Sequence, residues 1–181
     1  MTPRIAAGAL NYAGIGSTEH GPPPADAECL VTHAYLGEGM ATYRRVAQGM
    51  LTWQLQRRAG LTVRAESDVV APGVRVVSGF GVGPFRLKAP CEVVWVRRPV
   101  PGDAPQSAGF GYGTLPGHPV RGEEAFEVLI DARGRVTLRI TAFGVPSSWF
   151  YRAGGAVTKR ARGYLTSRYL RSARELAAGS V

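Results

Sequence analysis

Hydrophobicity with a period of two residues dominates the chain from residue 61 to residue 143. Six segments in this stretch alternate apolar with polar residues, which is typical of strands with one buried face. In the fifth segment, for example, Phe126, Val128 and Ile130 point one way, and Glu127 and Asp131 point the other. Short stretches rich in Gly and Pro separate the segments, and connections this short favour an antiparallel meander. The predicted strands are residues 61–68, 74–81, 91–97, 108–115, 123–131 and 135–143.

A one-sided sheet needs a cover, and the last part of the chain predicts one. Residues 156–178 have the periodicity of an amphipathic helix. One stripe of this helix contains Ala161, Leu165, Tyr169, Ser172 and Leu176. The opposite arc contains Lys159, Arg160, Arg168, Arg171 and Arg174. We expect the first stripe to lie on the sheet and the basic arc to face solvent.

The same helix carries most of the net charge of the protein. The chain has 22 basic and 13 acidic residues, a balance of +9. Residues 152–181 contain seven basic residues and one acidic residue, so that 7 − 1 = +6 of the charge lies there. A charge cluster of this kind can attract nucleic acid or an anionic surface. We predict a solvated helix face, with no nucleic-acid partner, and keep nucleic-acid or anionic-surface binding as an alternative function.

The first third of the chain predicts an irregular segment, a strand and a helix. Residues 1–28 contain Gly14, Gly16 and three successive prolines, which favour an extended, turn-rich path. Residues 30–36 are compatible with a strand. From residue 40 to residue 59, apolar residues recur at spacings of three and four, and Gly60 ends the helix that this pattern predicts. Its apolar stripe comprises Met40, Tyr43, Ala47, Met50 and Leu51. We expect a single domain over residues 29–178.

Length and composition exclude several classes of protein. A chain of 181 residues with 45% hydrophobic residues can bury a core without disulfides or structural metals, so intrinsic disorder is not expected. The sequence has neither an apolar run long enough for a membrane span nor the pattern of a signal peptide. Cys29 and Cys91 form no CxxC pair and have no cluster of His nearby. We therefore predict a cytoplasmic protein with reduced thiols, no metal site and no cofactor.

Two glycine runs, at residues 79–83 and 109–113, superficially resemble phosphate-binding loops. Such a loop needs its glycines at the turn from a strand into a helix, because the backbone N–H groups there hold the phosphate. No helix follows either run. Alternating glycines within a strand instead permit sharp curvature, or leave room for a ligand or a packed aromatic side chain.

The order of strand, helix, six antiparallel strands and long terminal helix predicts an α+β fold of the helix-grip type. In it a curved seven-stranded antiparallel sheet wraps around the C-terminal helix, with a helix between the first two strands. This pattern resembles the START-like superfamily typified by the birch pollen allergen. Residues 110–126, FGYGTLPGHPVRGEEAF, are similar to the signature of an uncharacterised bacterial and plant family, domain of unknown function nineteen-ninety. Residues 10–12, 36–39, 51–53, 90–91 and 168–170 support the resemblance.

The resemblance implies a fold and a cavity more than an activity. That family has no established catalytic residues to carry over to this chain. Members of the wider superfamily commonly hold a lipid, steroid, polyketide or other apolar molecule between the sheet and the C-terminal helix. The residues that we expect to line such a cavity are Tyr43, Trp53, Phe80, Trp95, Tyr112, Phe126, Tyr164 and Tyr169, with Arg162 placed to hold an anionic group.

The candidate acid and base groups are His118, Glu123 and Glu124. Successive residues of a strand point to opposite faces, so Glu123 and Glu124 do not serve one site together. Glu124 shares the face of Phe126 and is the candidate that faces the cavity. His118 lies between glycine and proline, where a hydrogen bond that fixes the loop is the alternative to a catalytic role. We predict a protein that binds a small hydrophobic or amphipathic molecule, or alternatively an enzyme that uses Glu124 or His118 as an acid or base.

Overall fold

The protein is described by a computed structural model of residues 5–81, 87–146 and 155–179. The strands are β1 (Glu28–Glu38), β2 (Thr62–Ala65), β3 (Arg75–Phe80), β4 (Leu87–Arg97), β5 (Gln106–Thr114), β6 (Val120–Ile130) and β7 (Arg135–Pro146). The helices are α1 (Met40–Leu51), α2 (Gln54–Arg58) and α3 (Gly155–Ala178). The helical turn that the sequence predicts at residues 147–151 lies outside the described residues.

Within the described residues, seven strands form one antiparallel sheet in the order β1-β7-β6-β5-β4-β3-β2. The chain leaves β1 at one edge, crosses the sheet as α1 and α2, and enters β2 at the other edge. It then returns strand by strand until β7 pairs with β1. The helix-grip prediction is therefore confirmed, including the helical connection between the first two strands and the long helix at the end.

The hairpin between β6 and β7 shows how local sequence sets the register of the sheet. Asp131 accepts hydrogen bonds at one carboxylate oxygen from the backbone N–H groups of Arg133 (2.9 Å) and Arg135 (3.0 Å). Gly134 has a φ of +79°, a conformation that residues with a side chain rarely adopt. The turn aligns Ile130 with Val136, and all later pairs follow from this one.

The predicted single helix over residues 40–59 is wrong in one respect, because it is interrupted at Trp53. This residue has a φ of 62°, and α1 and α2 lie on either side of it. A left-handed conformation costs an L-residue about 1–2 kcal/mol. Burial of the indole offsets this cost: its ring packs edge-on against Phe110, and its Nε1 donates to the carbonyl of Ser67 at 2.9 Å. The predicted apolar stripe does face the core, where Tyr43, Ala47, Met50 and Leu51 are buried.

The face of the sheet that points away from the helices, hereafter the outer face, is not simply solvated as the alternation predicts. The N-terminal segment, residues 5–27, contains no strand or helix and lies across β3 to β6. The guanidinium of Arg75 on β3 donates to the carbonyls of Ala6 (2.6 Å) and Gly8 (2.8 Å). Arg97 on β4 pairs with Glu19 at 3.0 Å. The prediction failed because these contacts join residues about 70 or more positions apart, which leaves no periodic signal.

The other face, hereafter the inner face, is covered by α1, α2 and the C-terminal half of α3. The two long helices approach closely where Gly49 meets Leu176: a side chain at position 49 would collide with the leucine. Ala173 and Ala177 continue this contact along α3 and are also buried. None of the helices among the described residues is long and apolar enough to cross a membrane.

Candidate functional site

The inner face of the sheet has two halves that differ in side-chain size. Under α1 and α2 the residues are large and at most 2% exposed: Phe110, Phe126, Val128, Ile130, Val136, Leu138 and Ile140. Toward the N-terminal half of α3 the inward positions carry small side chains: Ser78, Ala89, Cys91, Thr114, Gly122, Ala142 and Gly144. The first half is a solid core, whereas the second half presents much smaller side chains to the helix. We call the second half the small-residue half.

A polar cluster lies at the boundary between the two halves. Tyr112 on β5 is directly opposite Glu124 on β6, and its hydroxyl donates to Glu124 Oε2 at 2.9 Å. Tyr169 of α3 stands edge-on over Phe126 with ring centroids 4.8 Å apart, and its ring lies above this cluster. Tyr112 and Tyr169 are buried, but Glu124 remains partly exposed.

The electrostatics of the cluster follow from its depth. Burial raises the pKa of Glu124 to about 7, while the hydrogen bond from Tyr112 and the positive charge of Arg162 act in the opposite direction. Burial and the charge of Glu124 raise the pKa of Tyr112 and of Tyr169 well above the usual value. Both tyrosines therefore keep their protons at neutral pH, and Glu124 is the group in the cluster that can gain or lose one.

The structure brings some of the predicted cavity residues together and separates others. Tyr112, Glu124, Phe126 and Tyr169 form the boundary cluster. Tyr43 and Trp53 lie in the solid half, where both are fully buried. Phe80 and Tyr164 contact each other at 6.0 Å between ring centroids, above the small-residue half. Arg162 lies at the opposite side of that half, next to Glu28 on β1.

Trp95 is on the outer face, away from the other predicted cavity residues. A β-bulge between Val93 and Trp95 adds one residue to β4, so that Val93 is opposite Tyr112 and Trp95 is opposite Gly111. The indole Nε1 donates to the hydroxyl of Thr18 at 2.9 Å. A strict alternation over residues 91–97 cannot show the extra residue, and it therefore placed Trp95 on the wrong face.

His118 is held in the loop before β6. Its Nδ1 is 3.0 Å from the backbone nitrogen of Val120 and 2.7 Å from the carbonyl oxygen of the same residue. Burial lowers the pKa of His118 to about 4, although the hydrogen bond with the Val120 backbone acts in the opposite direction, so that the ring is neutral at neutral pH. According to its tautomer, Nδ1 either donates to the Val120 carbonyl or accepts from the Val120 N–H. This geometry matches the loop-fixing alternative to a catalytic role.

Glu123 has a position that the sequence does not reveal. Its carboxylate is 2% exposed on the outer face, opposite in direction to Glu124 as the alternation predicts. It accepts hydrogen bonds from the Tyr12 hydroxyl (2.6 Å), the Gly16 N–H (2.8 Å), the Thr18 N–H (3.0 Å) and the Thr18 hydroxyl. We call this carboxylate and its donors the outer clamp, because it ties the N-terminal segment to the sheet.

The alternating glycines of β5 make room for this clamp. A side chain at Gly111 would overlap the indole of Trp95, and one at Gly113 would overlap the ring of Tyr12. Of the explanations left open for the glycine run, the packed aromatic side chain therefore applies at these two positions. The glycine pattern was the available sequence signal for the contact, although it does not name the partner.

Arg168 was predicted on the solvent-facing arc of the basic helix, but it makes a structural contact, and Arg45 of α1 makes a similar one. Arg168 donates to the carbonyl of Ala59 just after α2, and Arg45 of α1 donates to the carbonyl of Ala177 at the end of α3. Cations at these positions satisfy carbonyls that a helix leaves free at its C-terminus. Other basic residues of α3, at positions 160, 171 and 174, are exposed, and binding of an anionic surface through them stays a prediction. In the described part of the chain, no three acidic, His or Cys side chains are grouped as metal ligands would be.

The matches to known proteins agree with this architecture. A family model described as domain of unknown function (DUF1990) matches residues 11–172. The chain belongs to this family. A UPF0548 protein of Deinococcus radiodurans is 32% identical over 166 residues, which cover 86% of this chain and 84% of that protein. A UPF0548 protein of Arabidopsis thaliana is 28% identical over 146 residues, which cover 75% of this chain and 70% of that protein.

Solved structures with low identity share the fold. The hypothetical protein jhp0584 from Helicobacter pylori has a TM-score of 0.58 at 11% identity, with 99% of this chain and 100% of that chain covered. TTHA0849 from Thermus thermophilus has a TM-score of 0.56 at 13% identity, over 85% of this chain and all of that chain. Ginseng major latex-like protein 151 has a TM-score of 0.51 at 11% identity, over 86% and 98%. The family resemblance found in the sequence is confirmed, and its fold with it.

Proposed function

We propose that this protein binds a small hydrophobic or amphipathic molecule between the small-residue half of the inner face and α3. The observation that carries the proposal is the partial exposure of Glu124 at the boundary of an otherwise solid core. A carboxylate with a raised pKa, placed on a buried face beside two tyrosines, is a polar group at the end of an apolar space. Ligand sites of small-molecule-binding proteins have this composition: mostly apolar walls with a few polar groups that fix orientation.

The pattern of exposure across the sheet supports an accessible space. Leu30, Ala142 and Glu124 are successive partners across β1, β7 and β6, and each of them is partly exposed although all three face α3. In the next row, Thr32 on β1 is also partly exposed, but Ile140 on β7 and Phe126 on β6 are fully buried. A core packed to the same density throughout would bury the β7 and β6 residues of both rows alike.

The carboxyl group in the polar cluster lowers the stability of the fold, which favours a functional role for the cluster. Burying a carboxyl group in apolar surroundings is unfavourable, and the raised pKa of Glu124 reflects this cost. Among the described residues, the bond from Tyr112 meets only part of the hydrogen-bonding capacity of the carboxyl group. Its remaining capacity can orient a hydroxyl, carbonyl or amine of a bound molecule, whose apolar part then covers the small side chains.

Filling the space should weaken binding. Ala142→Phe places a ring on the inner face between Leu30 and Glu124, and we expect at least about a tenfold loss of affinity for decan-1-ol, measured by isothermal titration calorimetry. Thr141→Phe is the matched control, because residue 141 precedes it on the same strand and points to the outer face. Thermal unfolding of both variants checks that they fold.

The proposal fails if decan-1-ol does not bind the wild-type protein and native mass spectrometry finds no small molecule carried through purification. Equal loss of affinity in both variants would also contradict it, since Thr141→Phe leaves the inner face unchanged.

A second candidate function rests on the pKa of Glu124. A carboxyl group that titrates near 7 in a water-poor site is suited to general acid–base catalysis, with Tyr112 as a neighbouring hydrogen-bond donor. We expect such an enzyme to change the mass or the deuterium content of the molecule that it binds, as followed by mass spectrometry in deuterated water. Glu124→Gln should stop this change while the molecule still binds. Binding without any change in either quantity favours the first candidate.

A further inference from the structure

An open groove of about 510 Å³ lies where β1 meets α3. Its walls are Glu28, Cys29 and Leu30 on the strand side and Arg162, Gly163 and Thr166 on the helix side. Within the described residues of this lining, one guanidinium and one carboxylate provide the charges. The floor is apolar at Leu30, so the groove combines an apolar base with a charged rim.

Strand pairing links the floor of the groove to the polar cluster. Leu30 is the partner of Ala142 on β7, and Ala142 is the partner of Glu124 on β6. At a spacing of about 4.8 Å between neighbouring strands, Glu124 is about 10 Å from the strand at the groove. Only the methyl group of Ala142 stands between them on this row. A flexible apolar chain that follows this row from the groove meets Ala142 and Glu124, which are both partly exposed.

Arg162 connects the rim with the interior. Its Nη1 is 3.4 Å from Glu28 Oε2, and its positive charge also acts on Glu124, whose pKa it lowers. A guanidinium has five N–H donors, and among the described residues Glu28 is the acceptor that Arg162 contacts. The pair is weak, because the distance is long and the side chain of Glu28 is 56% exposed. As far as the described residues show, most donors of Arg162 thus remain available to a ligand.

The two carboxylates near Arg162 are less available to a ligand than the guanidinium is. Glu124 already accepts from Tyr112, and Glu28 is at the solvent-facing rim. A planar guanidinium can form two parallel hydrogen bonds with a carboxylate. A ligand with an ammonium or hydroxyl head group cannot form this pair of bonds with the guanidinium. The hydroxyl-bearing Thr166 lies one helical turn after Arg162 and lines the same groove.

We propose that this groove is the mouth of the ligand site, and that Arg162 selects amphiphiles with a carboxylate head group by exchanging Glu28 for the ligand. This inference rests on the proposed function and adds to it the direction of entry and the class of ligand. The head group lies at the rim on Arg162, and the apolar chain extends over Leu30 and Ala142 toward Tyr112 and Tyr169. Glu28 then acts as an internal competitor for the guanidinium.

Decanoate and decan-1-ol, which share the same ten-carbon chain, test the inference by isothermal titration calorimetry at neutral pH. We expect Arg162→Gln to weaken decanoate binding at least about tenfold and to change decan-1-ol binding less than about threefold. Arg160→Gln removes the same charge from an exposed position of the same helix and is the control for net charge. Glu28→Gln removes the competitor, and we expect it to strengthen decanoate binding by about threefold.

The outcomes separate this inference from the function on which it rests. If decan-1-ol binds and Ala142→Phe blocks it, but Arg162→Gln leaves decanoate binding unchanged, the selection by Arg162 is wrong and the proposed function stands. Stronger binding of decylammonium than of decanoate would overturn the inference as well. If none of the three amphiphiles binds and native mass spectrometry finds no small molecule carried through purification, both proposals fail.

Discussion

Glu123→Ala is expected to lower the free energy of unfolding by about 4 kcal/mol, since each buried donor left without its charged acceptor costs about 1–3 kcal/mol. The carboxylate is 2% exposed and accepts hydrogen bonds from Tyr12, Gly16 and Thr18, so the substitution leaves several donors unmatched at once. For a chain of this length the loss corresponds to a melting temperature lower by about 10 °C. Chemical denaturation and calorimetry measure both quantities.

The outer clamp also predicts which backbone amides lose protection from hydrogen exchange in Glu123→Ala. Hydrogen exchange at the amides of Gly16 and Thr18 should accelerate in Glu123→Ala, because these N–H groups lose their acceptor. Glu38→Ala is the control, because Glu38 is an exposed carboxylate on β1 with one long contact, to the hydroxyl of Tyr35 at 3.3 Å. A loss of stability no larger than that of Glu38→Ala would show that the N-terminal segment contributes little to the fold.

The second large effect is a dependence of stability on pH that originates at Glu124. Its pKa is about 7 in the folded protein and 4.5 for an unperturbed side chain, so the folded state binds the proton more tightly. Stability from this group is therefore complete below about pH 4.5, falls as the pH rises, and is lost above about pH 7. This difference between the two pKa values of Glu124 corresponds to about 3 kcal/mol in the free energy of unfolding.

Glu124→Gln removes the titration and keeps the shape of the side chain. We expect the difference in unfolding free energy between this variant and the wild type to increase in favour of the variant by about 3 kcal/mol from about pH 4.5 to about pH 8. The comparison cancels the opposite contribution of His118, whose lowered pKa makes the fold more stable as the pH rises from about 4 to 6.5. A difference that stays constant with pH would show that Glu124 ionises alike in the folded and unfolded chains.

Local sequence patterns predicted the strands and helices whose formation depends on residues close together in the sequence. Period-two alternation located the strands of the meander, and the helical period located α1 and α3, because side-chain direction repeats with the backbone geometry. The alternation also separated Glu123 from Glu124 and gave Glu124 the face of Phe126. The register then placed Tyr112 opposite Glu124, which no single strand pattern can show.

The errors have equally specific causes. Trp53 breaks the helix with a positive φ although neither Gly nor Pro marks the site, and the buried indole stabilises the break. The bulge in β4 reverses the direction of Trp95. The outer clamp joins Tyr12 to Glu123 across 111 positions, and its sequence signal is the glycine alternation of β5. In each case tertiary packing overrides a local preference.

The pairing of the first strand with the last has a consequence for how the chain is made. Glu28 pairs with Gly144 and Cys29 with Phe143, so β1 acquires its neighbour only after more than a hundred further residues have been synthesised. The N-terminal segment likewise waits for Glu123 before it can dock. Residues 5–38 leave the ribosome before their partners in β6 and β7, and they are thus among the last of the described residues to reach their native contacts. Contacts this distant in sequence slow folding, and until they form, the apolar side chains of β1 stay exposed to other chains.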